Sequence, residues 1–184
     1  MAICGLITLA GCATSDRAPA TSQPASQAAL PESNAELVDY ISDQPFVTAE
    51  PACRAIYTLW KGESFAGSYD ELVASLKAGK IVSELWDRPA DGHLDRAAVG
   101  FMICRACGIS SGVNWWLTGL GRYAWRELTY KGIARGGSEW RRVSGGEFLG
   151  LLVRADEYLV RQRRGNATSI DLGDSPSPTM PDRN

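Results

Sequence analysis

The sequence predicts an all-α fold: one small domain of about three helix-loop-helix units, set between two segments that build no core. Three observations carry that prediction. Apolar residues across 34–165 recur at steps of three and four rather than two. Helix-capping side chains open each long apolar stretch, at Thr48, Asp95 and Ser144. Those openings stand 47 and 49 residues apart, so one pattern repeats along the chain.

The chain begins with an uncharged apolar run, residues 3–10 (ICGLITLA). It is far short of the roughly 20 residues that cross a bilayer and suits the apolar region of a signal peptide. The run ends in Leu9-Ala10-Gly11-Cys12, which resembles the lipobox of bacterial lipoproteins. That resemblance implies a signal peptide over 1–11, cleavage before Cys12, diacylglycerol on the Cys12 sulfur and an acyl chain such as palmitate on the new amine. More than one chain matters, since each buried CH₂ contributes about 0.8 kcal/mol and a single chain holds only marginally. Met1-Ala2 carries no Lys or Arg, so a basic leader region would lie upstream of Met1. Ala13 rather than Asp follows the cysteine, which in Gram-negative lipoproteins implies the outer membrane, on its periplasmic or its surface face. The linker over 12–33 is rich in Ala, Ser, Thr, Pro and Gln. It lacks the apolar surface that offsets chain entropy, and reads as a flexible tether. The stretch 166–184, rich in Pro, Ser and Asp, reads as a disordered tail for the same reason.

Within the core, short amphipathic pieces at Ala35 to Ser42, Tyr69 to Ala78 and Arg122 to Lys131 alternate with longer ones. The first long helix opens at Thr48 and buries Ala52, Ile56, Leu59 and Trp60. The second opens at Asp95 and is apolar nearly all round (Ala98, Val99, Phe101, Met102, Ile103), so it belongs at the centre. The third opens at Ser144, with Glu147 placed for a capping box. It carries Phe148, Leu151, Leu152, Ala155 and Leu159 on one face, and Gly165 is expected to end it. The short pieces leave through Gly79-Lys80-Ile81 and Gly132-Ile133, and each long piece starts after Val47, Leu94 or Val143.

That build is similar to the S-layer homology repeat: an aromatic short helix, a Gly-Ile exit, a glycine-bearing loop, then an Ile-Thr-Arg-Ala-Glu-like start to a second helix. Tyr123 to Leu128, Gly132-Ile133, Gly136-Gly137 and Val143 to Phe148 carry it in the last unit. Leu94-Asp95-Arg96-Ala97-Ala98 carries it in the middle one. The resemblance implies binding of a cell-wall polymer, often a pyruvylated glycan, with the motif arginine holding the anion. Arg96 is the residue that matches. Val143-Ser144 lacks the arginine, and Leu94-Asp95 lacks the glutamate.

Other candidates come from the residues alone. Trp115 and Trp116 lie in a Gly/Ser-rich stretch and could stack on sugar faces. Being adjacent, they cannot share one face of a helix or strand. Charge is uneven: 35–95 holds 11 acids and 5 bases, whereas 121–164 holds 5 acids and 10 bases. Arg141 and Arg142 belong to that basic half, which could meet an anionic glycan or surface or pair with the acidic half. Cys104-Arg105-Ala106-Cys107 is a CxxC at the C-terminal end of a helix, where the dipole disfavours a thiolate. Cys53 bridged to Cys104 or Cys107 would close a loop of about 50 residues and contribute roughly 4 kcal/mol. The alternatives are buried free thiols or, least favoured, a zinc site drawn from Cys53, Cys104, Cys107 and His93.

A net charge of −2 gives no basic field for nucleic acid. One histidine excludes sites that need two, and neither a phosphate loop nor a Gly-x-Ser-x-Gly elbow is present. No cofactor and no metal are expected. The expectation is a non-catalytic envelope module, held to the membrane by its lipid, that binds a glycan, peptidoglycan or an envelope protein. The alternatives are a small periplasmic redox protein or other enzyme using Cys104 and Cys107, and a scaffold that meets only protein.

Overall fold

The computed structural model describes residues 31, 33–109 and 121–171, with side chains through 166. The described chain is all-α: α1 (Asn34–Ser42), α2 (Ala49–Lys61), α3 (Tyr69–Ala78), α4 (Arg96–Ala106), α5 (Gly121–Tyr130) and α6 (Gly145–Asp171). Short and long helices alternate, giving the three pairs that the repeat predicts.

Four starts are fixed by a side-chain cap, whereas Thr48, expected to cap α2, makes no side-chain cap hydrogen bond, and its own amide donates to the Gln44 side chain at 3.2 Å. The Ser33 side chain accepts from the Glu36 amide, and Asp95 accepts from Ala98 at 2.7 Å. Ser68 and Glu71 form a reciprocal capping box, satisfying two orphan amides at once. The expected box at Ser144 is made on one side: its Oγ accepts the Glu147 amide at 3.2 Å, while the Glu147 carboxylate turns to Arg96. The exits repeat as well. Ile81 donates to the Leu76 carbonyl and Ile133 to the Leu128 carbonyl, both at 2.8 Å. This turn needs a left-handed residue just before the isoleucine. Gly132 supplies it at φ 74°, and Lys80 supplies it at φ 57° despite its side chain.

The three units close around one ring of backbone hydrogen bonds. Val47 N–H donates to the Val143 carbonyl (2.8 Å), Val143 N–H to Leu94 (3.1 Å) and Leu94 N–H to Val47 (3.1 Å). All three side chains are fully buried. Each sits one residue before a helix cap, where the extended link has no helical or strand partner, so the three equivalent links satisfy one another. Isolated antiparallel bridges of Thr48 with His93 and of Asp95 with Arg142 flank the ring.

The core runs outward from there. As expected, α4 is central: it packs against α2, α5 and α6 and buries most of its length. Two glycines permit close approaches between helices. A Cβ at Gly100 would stand 3.1 Å from the Trp125 nitrogen, so its absence seats α5 on α4. At Gly145 a Cβ would strike the Ile41 carbonyl, so only glycine lets α6 begin against α1. One boundary differs from expectation. Gly165 does not end the last helix, which continues to Asp171, so residues 166–171 belong to α6 and not to a tail. A lone interior glycine costs about 1 kcal/mol, and the next proline is Pro176, so nothing local forces a stop at 165.

Candidate functional site

Arg96, the first residue of α4, does not sit in solvent. It is 9% exposed. Its guanidinium meets Glu147 at 2.7 and 2.9 Å, reaches the Ser138 carbonyl at 3.5 Å and lies 5.1 Å from the centre of the Trp125 ring. Gly137 lacks the Cβ that would collide with it. The arginine therefore holds a carboxylate of its own chain and ties the second unit to the third.

Joined to the α4 cap through the Arg88–Asp95 pair lies an open groove of about 530 Å³. Tyr69, Asp70, Val73 and Lys77 of α3 form one wall; Trp86, Asp87 and Arg88 from the following segment form the other. The aromatic pair is pinned by a relay. Trp86 Nε1 donates to the Tyr69 hydroxyl at 3.1 Å, and that hydroxyl donates to the Arg88 carbonyl at 2.9 Å. Burial pushes the Tyr69 hydroxyl up to about 12, against the smaller opposing effect of the Trp86 bond, so it stays a donor. The Arg88 guanidinium is held by Asp95 at 3.0 Å and by the His93 carbonyl at 3.2 Å. Arg88 thus links the groove wall to the cap of the central helix. Sequence reasoning did not single out this groove. Its signal was two aromatics 17 residues apart on either side of an exit turn, Tyr69 and Trp86.

Arg141 and Arg142 are exposed. The Arg141 carbonyl accepts the Arg96 amide at 3.0 Å, and the Arg142 guanidinium lies 5.6 Å from the Phe46 ring. Phe46 in turn meets His93 edge-on at 5.8 Å. Phe46, His93 and Arg142 each precede a ring residue, so the repeat gathers them on one surface. Neighbouring Trp140 is 70% exposed. The structure brings neither Arg141 nor Arg142 to Arg96's ion pair. Cys12, Trp115 and Trp116 lie outside the described residues.

None of the proposed disulfides forms: Cys53, Cys104 and Cys107 are buried and unbonded. Burial pushes each thiol up to about 12, away from the thiolate that redox or nucleophilic chemistry needs. The Cys104 thiol contacts the Ala124 carbonyl at 3.6 Å. The sulfurs serve here as small apolar groups. Among the described residues no three potential metal ligands gather, so Cys53, Cys104, Cys107 and His93 do not form the zinc set that sequence allowed. No helix among the described residues is long and apolar enough to cross a membrane.

No protein-family model, curated protein or solved structure matches the chain.

Proposed function

We propose that this chain is a lipid-anchored, non-catalytic module of the cell envelope that holds a surface polymer, a glycan or peptidoglycan, in the groove between α3 and the 86–90 segment. The observation that carries the proposal is the hydrogen-bonded pair of Tyr69 and Trp86 in an open groove. Rigid aromatic walls give contact area at little entropic cost, the usual need of a polymer-binding surface. The lipobox-like Cys12 and the S-layer-homology-like repeat support the same setting. The protonated, buried thiols disfavour the redox alternative. Arg96 takes a different role from the one the resemblance implies: its pairing with Glu147 locks two units together, and the proposed binding residues are those of the groove instead.

Co-sedimentation of the full chain with purified sacculi tests the reading. Binding is expected, with Trp86→Ala weakening it about tenfold, a loss of roughly 1.4 kcal/mol. Equal retention of the wild type and the variant would contradict it. Incorporation of labelled palmitate, abolished in Cys12→Ser, tests the anchor separately. Trp115→Ala, measured in the same assay, asks whether the second aromatic stretch extends the surface.

A further inference from the structure

We infer that the groove takes an uncharged, hydroxyl-rich sugar chain and discriminates against an anionic one; this rests on the polymer-binding reading above. The argument is one of charge. Two arginines flank the α4 start, and both are committed within the chain. Arg88 is held by Asp95 and the His93 carbonyl, and Arg96 is held by Glu147. That leaves Lys77 as the cation of the groove wall, facing two carboxylates, Asp70 and Asp87. The lining itself holds two acids and two bases, and Asp95, which pairs Arg88 from just outside it, tips the local balance to negative. An entering anion meets like charge, and like-charge juxtaposition at an interface costs several kcal/mol.

The same lining suits a neutral saccharide. Asp70 and Asp87 are exposed and accept hydroxyl hydrogen bonds, which are stronger when the acceptor is ionised. Trp86 and Val73 supply apolar surface for the C–H faces of sugar rings. The indole does not need to be ordered on binding, because its N–H is already bonded to Tyr69. A volume of about 530 Å³ lies within the usual range for small-ligand sites, about 300–1,000 Å³, so a short oligosaccharide fits.

Calorimetric titration of the full chain at physiological salt, with chitotetraose, cellotetraose, maltotetraose and tetragalacturonate as probes, tests the inference. At least one neutral tetrasaccharide is expected to bind, and tetragalacturonate at least about tenfold more weakly. Trp86→Ala should weaken the neutral ligand about tenfold, while Trp86→Phe, which keeps one aromatic ring and loses the second ring with its N–H, should fall between. Asp70→Asn with Asp87→Asn should narrow the gap between neutral and anionic probes. Tetragalacturonate binding as tightly as the best neutral probe would overturn the inference, as would failure of all three neutral probes. If sacculi still bind under either result, the inference about the sugar is lost and the polymer-binding reading stands. If sacculi fail too, the polymer-binding reading falls with it.

Discussion

The two arginines beside the start of α4 have opposite fates. Arg96 pairs with Glu147 with 11% of its side chain exposed, under the Trp125 ring, at the seam of the second and third units. Arg88 pairs with Asp95 with 36% of its side chain exposed, on the edge of an open groove. The distances are nearly the same, and the surroundings differ. The repeat therefore preserves the ring and the packing, while the surfaces beside each copy are free to become a seal or a site. The two carboxylates are similarly exposed, 27% for Glu147 and 23% for Asp95, so the difference lies in the arginine. Without Glu147, Arg96 keeps only the long hydrogen bond to the Ser138 carbonyl and little water, which makes that pair the costlier one to break. A surface pair is worth about 0–1 kcal/mol.

This contrast can be broken in graded ways. The largest expected effect is alkaline. The three interior thiols are protonated when folded and have raised pKa values, so their contribution is complete below about pH 9 and lost as pH rises toward 12. Urea midpoints should hold level from pH 6 to 8 and drop clearly by pH 10, by about 1 kcal/mol per thiol. Replacing all three cysteines with alanine should flatten that drop. Next is the seal. Glu147→Ala should cost about 3 kcal/mol in urea unfolding, and adding Arg96→Met should recover much of it by removing the stranded charge. The corresponding change on the open side, Arg88→Ala, should cost under about 1 kcal/mol while altering groove binding.

Glycine positions sharpen the comparison further. Gly145→Ala should cost about 2 kcal/mol, because the new Cβ meets the Ile41 backbone. Its neighbour Gly146 has open space around it, so Gly146→Ala should stabilise by up to about 1 kcal/mol through helix propensity. The smallest effect is at the exit turns: Lys80→Gly should be neutral or slightly stabilising, and Gly132→Ala should cost about 1 kcal/mol. Thermal midpoints separate these cases.

Much of the fold was legible because it is written locally. Spacing of apolar residues and the openings at Thr48, Asp95 and Ser144 placed the long helices, although only Asp95 and Ser144 cap with their side chains, and their common interval announced three units. The exit at Ile133 was visible for the same reason. What escaped was non-local. Glu147 was readable as half of a capping box, but only the ring brings it to Arg96, 51 residues away. Tyr69, Trp86 and Arg88 form a groove through contacts across 17 to 19 residues, with no periodicity to betray them. Gly165 misled because a glycine that ends a helix and one that is tolerated within it look alike in sequence. The cysteines stayed open between a bridge and buried free thiols because spacing says nothing of burial, and burial decides whether a thiol is chemistry or packing.

The central claim is that three similar units share one backbone ring and stand or fall together. Native-state hydrogen exchange of the Val47, Leu94 and Val143 amides tests it most directly. All three donate within the ring, so all three should exchange only through global unfolding, with one common free energy and the same dependence on denaturant. If any of the three opens at markedly lower free energy than the others, the units are not closed on a common centre and the account is contradicted.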